Sequence, residues 1–151
     1  MKYNHLLFIC FFSFVFTKAQ TIDSVDKFNL PELVSETSGL IYYNNELITH
    51  NDSGNTAELY VINILNGSLT RTISVTNATN IDWEDIAQDD QYIYIGDIGN
   101  NNGNNNGNRT DLKFYRILKT DFDTSNVVTA DIINYSYADQ SDFTASTNNN
   151  N

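Results

Sequence analysis

The amino-acid sequence predicts an all-β chain built from a repeated four-strand unit, and three observations carry that prediction. Short runs rich in Ile, Val, Tyr and Thr are separated by clusters of Asn, Asp, Gly and Ser along most of the length. Proline occurs once, at Pro31, and no stretch combines a helical apolar period with caps at both ends. The strand-and-turn pattern then recurs at a spacing of 45 to 46 residues, the length of a four-stranded structural repeat.

The N-terminus stands apart from this pattern. Met1-Lys2-Tyr3-Asn4-His5 is followed by an apolar run from Leu6 to Phe16 and by Thr17-Lys18-Ala19. A basic start, a short apolar stretch and a small-residue site predict a secretory signal over residues 1–19, cut after Ala19. The run is too short for a bilayer span, which takes about 20 apolar residues. Cys10 follows Ile9 rather than a small residue, which argues against a lipoprotein anchor. Cleavage removes Lys2 and Lys18 and so takes the formal charge from −11 to −13. It also removes Cys10 and His5, leaving His50 as the single histidine and no thiol. Disulfides, Cys-based zinc sites and Cys nucleophiles are thereby excluded from the mature chain. Its acidity argues against nucleic acid or an anionic membrane surface as partner, because both need clustered Lys and Arg.

After a leading segment, Asp23–Leu30, expected to supply a leading strand, the predicted strands are 39–43, 46–50, 59–64, 70–75, 85–88, 92–97, 112–118 and 128–137, enough for about two four-stranded blades. Asn44-Asn45 and Asp89-Asp90 are predicted as two-residue hairpin turns, and Asn66-Gly67 as a third turn. Glu46–Gly54 aligns with Gln91–Gly99 at a spacing of 45, and Ser38–Ile41 with Glu84–Ala87 at 46. Leu59–Ile62 aligns with Phe114–Ile117 at 55, the excess falling in the loop Asn100–Thr110. Four strands at such a spacing predict blades of a β-propeller, with a β-sandwich as the alternative. Residues 20–147 are thus expected to form the N-terminal part of a propeller of about four to eight blades. Residues 148–151 are expected to be an Asn-rich truncated end.

In a propeller, the loops at one end of every blade converge on the central axis. Glu36, Asp52, Glu84, Asp85 and Asp97 occupy such loops and are expected to meet on one face. Carboxylates gathered without Lys or Arg in these segments repel one another unless a cation neutralises them. Oxygen ligands of this kind suit calcium. Turn capping by Asp and Asn side chains is the plainer alternative for each residue alone. Asp121-Phe122-Asp123 opens like a calcium-binding loop, but Asn126 and Ile132 stand where Gly and Glu are required. His50 is expected to be structural, because alternate strand residues face opposite ways and His50, Asn51 and Asp52 cannot all meet one substrate. Trp83 is expected to be a core anchor. The repeated Gly-Asn-Asn-Asn unit from Gly99 to Gly107 is read as a duplicated loop, with Asn100 its most firmly placed member.

Four motifs, Glu36-Thr37-Ser38-Gly39-Leu40, His50-Asn51-Asp52-Ser53-Gly54, Asp82-Trp83-Glu84-Asp85-Ile86 and Gly96-Asp97-Ile98-Gly99-Asn100-Asn101, together resemble a family of exported Bacteroidetes β-propeller-like proteins. Its members often end in a sorting domain for type IX secretion. The resemblance implies export and a propeller and supplies no catalytic residues. The Asn-rich loop is one unit longer here than the pattern. More distantly, the pattern is similar to calcium-dependent propeller esterases and phytases. The expectation is therefore a secreted binding or scaffold module with a calcium site and an extracellular ligand or surface partner. The alternatives are a calcium-dependent hydrolase and a metal-free structural adhesin module.

Overall fold

The computed structural model describes residues 26–100 and 109–144. The expected signal, most of the Asn-rich loop and the end of the chain lie outside these residues. Among the described residues, nine strands form two sheets, joined by one short α-helix and preceded by a 3₁₀ turn, Glu32–Val34: β1 Thr37–Tyr43, β2 Glu46–Asn51, β3 Glu58–Asn63, β4 Leu69–Val75, β5 Trp83–Gln88, β6 Tyr92–Asp97, β7 Lys113–Leu118, α1 Lys119–Thr124, β8 Val127–Val128 and β9 Asp131–Asn134. The first sheet has the order β1-β2-β3-β4-β8 and the second β5-β6-β7-β9. Each is an antiparallel meander of four strands, to which β8 adds a short parallel pairing with β4. The chain is therefore all-β, as its patterning predicts. Among the described residues no helix is long and apolar enough to cross a membrane.

The two sheets pack face to face because alternate residues of each meander are apolar. Ile48, Leu59, Val61, Ile73 and Val75 of the first sheet share one core with Trp83, Ile86, Ile93, Ile95, Tyr115 and Ile117 of the second. On the far side of the first sheet, Val34 closes over Tyr60 and Ile62. Phe28 lies against Gly67, whose φ of +73° serves the β3–β4 turn.

The structure repeats with a period of 46. A bulge interrupts the β1–β2 ladder between Thr37↔Asn51 and Gly39↔His50. The same bulge interrupts β5–β6 between Trp83↔Asp97 and Asp85↔Gly96. Just outside, the Asp52 amide donates to Glu36 O at 2.8 Å, and the Ile98 amide donates to Asp82 O at 3.2 Å. The spacing of 45 read for the second strand is thus corrected by one. The cause is the second hairpin, where Asp89 pairs with Tyr92, so the turn is Asp90-Gln91 and not Asp89-Asp90. Asp89 instead accepts hydrogen bonds from the Gln91 and Tyr92 amides at 2.8 and 2.7 Å. Asn44 and Asn45 do form the first turn, at φ +49° and +62°.

Two further expectations change. The predicted strand 128–137 divides into β8 and β9, which join different sheets. Asn77 brackets Ala130 between them, donating to its carbonyl at 2.8 Å and accepting from its amide at 2.9 Å. The leading segment Asp23–Leu30 contributes no strand over its described part, residues 26–30. Helix α1 escaped prediction because six residues are too few to display a period. Arg71 anchors it, donating to the Phe122 and Ser125 carbonyls at 2.8 and 2.9 Å.

Candidate metal centre between the sheets

Asp52, Asp82 and Glu84 come together where the end of β2 meets the approach to β5. Each offers one carboxylate oxygen, and the three oxygens lie within 4.8 Å of one another. Asp82 is buried, at 1 % exposure. Asn80 sets the spacing: its Nδ2 donates to the carbonyls of Asn51 and Asp52 at 3.0 and 2.8 Å. Its Oδ1 accepts the Trp83 amide at 3.1 Å. One side chain thus ties the end of β2 to the start of β5. Ser38 adds a second tie, its hydroxyl donating to the Glu84 carbonyl at 3.1 Å.

Gly99 forms the floor. Its amide donates to Asp82 O at 3.1 Å. A Cβ at this position would stand 2.3 Å from Asp82 Oδ2 and 2.5 Å from Glu84 Oε1, far inside van der Waals contact. Gly99→Ala must therefore push both carboxylates aside. Its expected cost is about 1–3 kcal/mol of folding stability, the range for overpacking, measurable by urea denaturation.

The electrostatics of the cluster are those of crowded acids. Burial, then the neighbouring carboxylates of Asp82 and Asp52, raise the Glu84 carboxyl above its ordinary range. Positive charge is committed next door. Arg109 Nη1 donates to Asp97 Oδ1 at 2.8 Å and Nε to Asp111 at 2.9 Å. Lys113 Nζ lies 3.2 Å from Asp111 and 3.9 Å from Asp97. Burial works against the Arg109 charge, but hydrogen bonds to Asp111 and Asp97 outweigh it and hold the guanidinium more firmly protonated than usual.

Of the five carboxylates singled out in the sequence, the structure brings Asp52 and Glu84 together and leaves three elsewhere. Asp97 is buried against Arg109, and the same Oδ1 accepts the Asp82 amide at 3.0 Å. It shapes the cluster from behind. Glu36 accepts from Asn55 Nδ2 at 2.6 Å. Asp85 is exposed, and its Oδ1 accepts the Ile86 amide at 2.8 Å. Asp82 and Asn80 were missed as site residues. The signal for Asp82 is the period of 46, which makes it the second copy's equivalent of Glu36.

His50 is fully buried, edge-on to Trp83 with ring centroids 5.5 Å apart. Its Nδ1 lies 3.0 Å from Asn51 O, the partner of an Nδ1–H tautomer. Burial lowers its pKa below the ordinary value, so the ring is neutral at pH 7. A Cβ on Gly39 would stand 2.9 Å from Nε2, so the ring fills a space that only glycine leaves. Trp83 has no exposed surface, and its indole N–H donates to Thr79 O at 3.2 Å. Asn100 Oδ1 accepts the Arg109 amide at 2.9 Å and so closes the neck of the Asn-rich loop.

Comparison with protein-family models, curated proteins and solved structures finds no match for the chain.

Proposed function

We propose that the chain is an exported β-propeller module whose two meanders are neighbouring blades. Asp52, Asp82 and Glu84 hold one calcium ion at the junction of the blades, and the module acts as a binding or scaffold domain for an extracellular ligand. The observation that carries this reading is the convergence of three carboxylate oxygens within 4.8 Å, one from Asp52 just after β2, one from Asp82 just before β5 and one from Glu84 in β5. Glycine at position 99 supports it, since the close approach has been kept clear of a side chain. Carboxylate oxygens suit a hard cation, and calcium accepts the remaining ligands from carbonyls or water. The propeller part rests on the identical bulge at a period of 46 and on the meander order of both sheets. The ion would act as a pin between blades, cancelling the repulsion that otherwise opposes their contact.

Thermal melting tests this directly. With free calcium at about 100 times the dissociation constant, binding to the folded state alone adds about 2.7 kcal/mol. For a chain of this size that raises Tm by on the order of 10 °C, and EDTA reverses the shift. A Tm indifferent to both calcium and EDTA contradicts the proposal.

A further inference from the structure

We infer that the cleft between the first sheet and α1 binds a small zwitterion of the α-amino acid class. The cleft has a volume of about 340 Å³, at the low end of the roughly 300–1,000 Å³ usual for small-molecule sites. Glu46, on its wall, opens β2, and Asp52 follows the end of that strand. The cleft and the acidic cluster thus lie at opposite ends of β2. The walls come from the first sheet and α1 alone, so the inference stands apart from the calcium and propeller readings.

The charges of the walls select the ligand. Arg71 on β4 and Glu46 on β2 both line the cleft, half-buried, and among the described residues neither forms an ion pair. The Arg71 guanidinium is held in place. Its Nε donates to Asn126 Oδ1 at 3.0 Å, Nη2 donates to the Phe122 and Ser125 carbonyls, and the group lies 5.4 Å from the centre of the Phe122 ring. These bonds use one edge of the fork and leave Nη1 for a ligand. Thr70 Oγ1 bonds Glu46 Oε1 at 2.8 Å and leaves Oε2. A ligand with only negative charge would meet Glu46 and Asp123, and one with only positive charge would meet Arg71; such like-charge contacts are costly. A zwitterion satisfies both walls, its carboxylate accepting from Arg71 Nη1 and its ammonium donating to Glu46 Oε2 in charge-assisted hydrogen bonds. Asp123 is already engaged, accepting from Tyr43 Oη at 2.9 Å and from Asn44 Nδ2 at 3.3 Å. Those three groups make the remaining wall polar, which suits a polar side chain such as an amide. Ile48 and Phe122 lie buried beneath.

Titration of the isotope-labelled chain with L-glutamine, followed by amide chemical shifts, tests the site. Two fragments of the probe divide its charges: γ-carbamoylbutanoate lacks the ammonium and γ-aminobutanamide lacks the carboxylate. Glutamine is expected to give saturable shifts at residues 43–48, 71 and 122–123. Each fragment is expected to bind roughly tenfold more weakly or worse, the effect of losing one charge-assisted hydrogen bond. Glu46→Gln, which keeps an oxygen for Thr70, is expected to weaken glutamine by a similar factor and to bind γ-carbamoylbutanoate no more weakly than wild type does. Near-ultraviolet circular dichroism of Trp83 reports whether that variant is folded; if it is not, the comparison of fragments on wild type decides. Equal affinity in calcium and in EDTA is expected, so failure of the calcium centre leaves this result untouched. The inference is overturned by the absence of saturable shifts with glutamine, by shifts that map outside the cleft, or by a fragment that binds as tightly as glutamine. A folded Glu46→Gln variant that binds glutamine unchanged overturns it as well.

Discussion

Asp97→Ala is expected to cost about 3–5 kcal/mol of folding stability, the penalty for breaking a buried ion pair by removing one partner. Asp97 has no exposed surface and Arg109 is 5 % exposed, so water cannot replace the lost carboxylate. The loss propagates along two hydrogen bonds. Asp97 Oδ1 accepts both the Arg109 guanidinium at 2.8 Å and the Asp82 amide at 3.0 Å. Removing it leaves the guanidinium with Asp111 as its remaining carboxylate partner, at 2.9 Å, and loosens the backbone that carries Asp82. Chemical denaturation followed by the fluorescence of the single Trp checks the size of the effect. The double variant Asp97→Ala, Arg109→Met is expected to regain much of the loss, because the buried guanidinium left with only the exposed Asp111 as carboxylate partner is removed as well. A single-variant cost below about 1 kcal/mol, the level of an exposed pair, contradicts this account of the ion pair.

Trp83→Ala is expected to cost a similar amount, about 3–5 kcal/mol, as large-to-small changes of buried aromatics do. The indole lies between the sheets, with His50 edge-on at 5.5 Å and Tyr115 tilted at 5.8 Å. Its truncation leaves a cavity that strands anchored on both sides cannot close. The Thr79 carbonyl also loses the indole donor, although Tyr115 Oη still donates to it at 3.2 Å. Calorimetry or far-ultraviolet circular dichroism measures the change, since the fluorescent reporter is gone. Trp83→Phe, which keeps most of the apolar volume, is expected to lose less. Equal losses for the two variants would show that the indole N–H, rather than packing, carries the contribution.

Much of the fold was legible because strands in meanders declare themselves locally. Alternation, Asn-Asn and Asn-Gly turns and β-branched runs placed the first seven strands to within a few residues. The hairpin at Asp89 slipped by one because Asp-Asp looks like turn chemistry. In fact the Asp89 side chain, capping the next two amides, places the turn after it. That slip hid the common period of 46 from the second strand only; the spacing of 46 read for the first strand of each copy already sets Glu36 against Asp82. The final strand was misjudged for another reason. The exchange of β8 into the first sheet depends on Asn77 meeting Ala130 across 53 residues, a tertiary pairing that no local pattern announces. The acidic cluster was half visible. Asp52 and Glu84 stood out as carboxylates in facing loops, whereas Asp97 carried the same signal and proved to be Arg109's partner. Charge type is written in the sequence; the distance between Asp97 and Arg109 is not.

Isothermal titration of calcium into the apo chain and into Asp82→Asn tests the central claim most directly. Asp82 is the buried member of the cluster, and an amide removes its charge while keeping its shape. The expected result is one calcium per wild-type chain, with the variant at least tenfold weaker and of comparable stability in EDTA. An absence of binding by the wild type, or binding unchanged by Asp82→Asn, contradicts a calcium centre built from Asp52, Asp82 and Glu84.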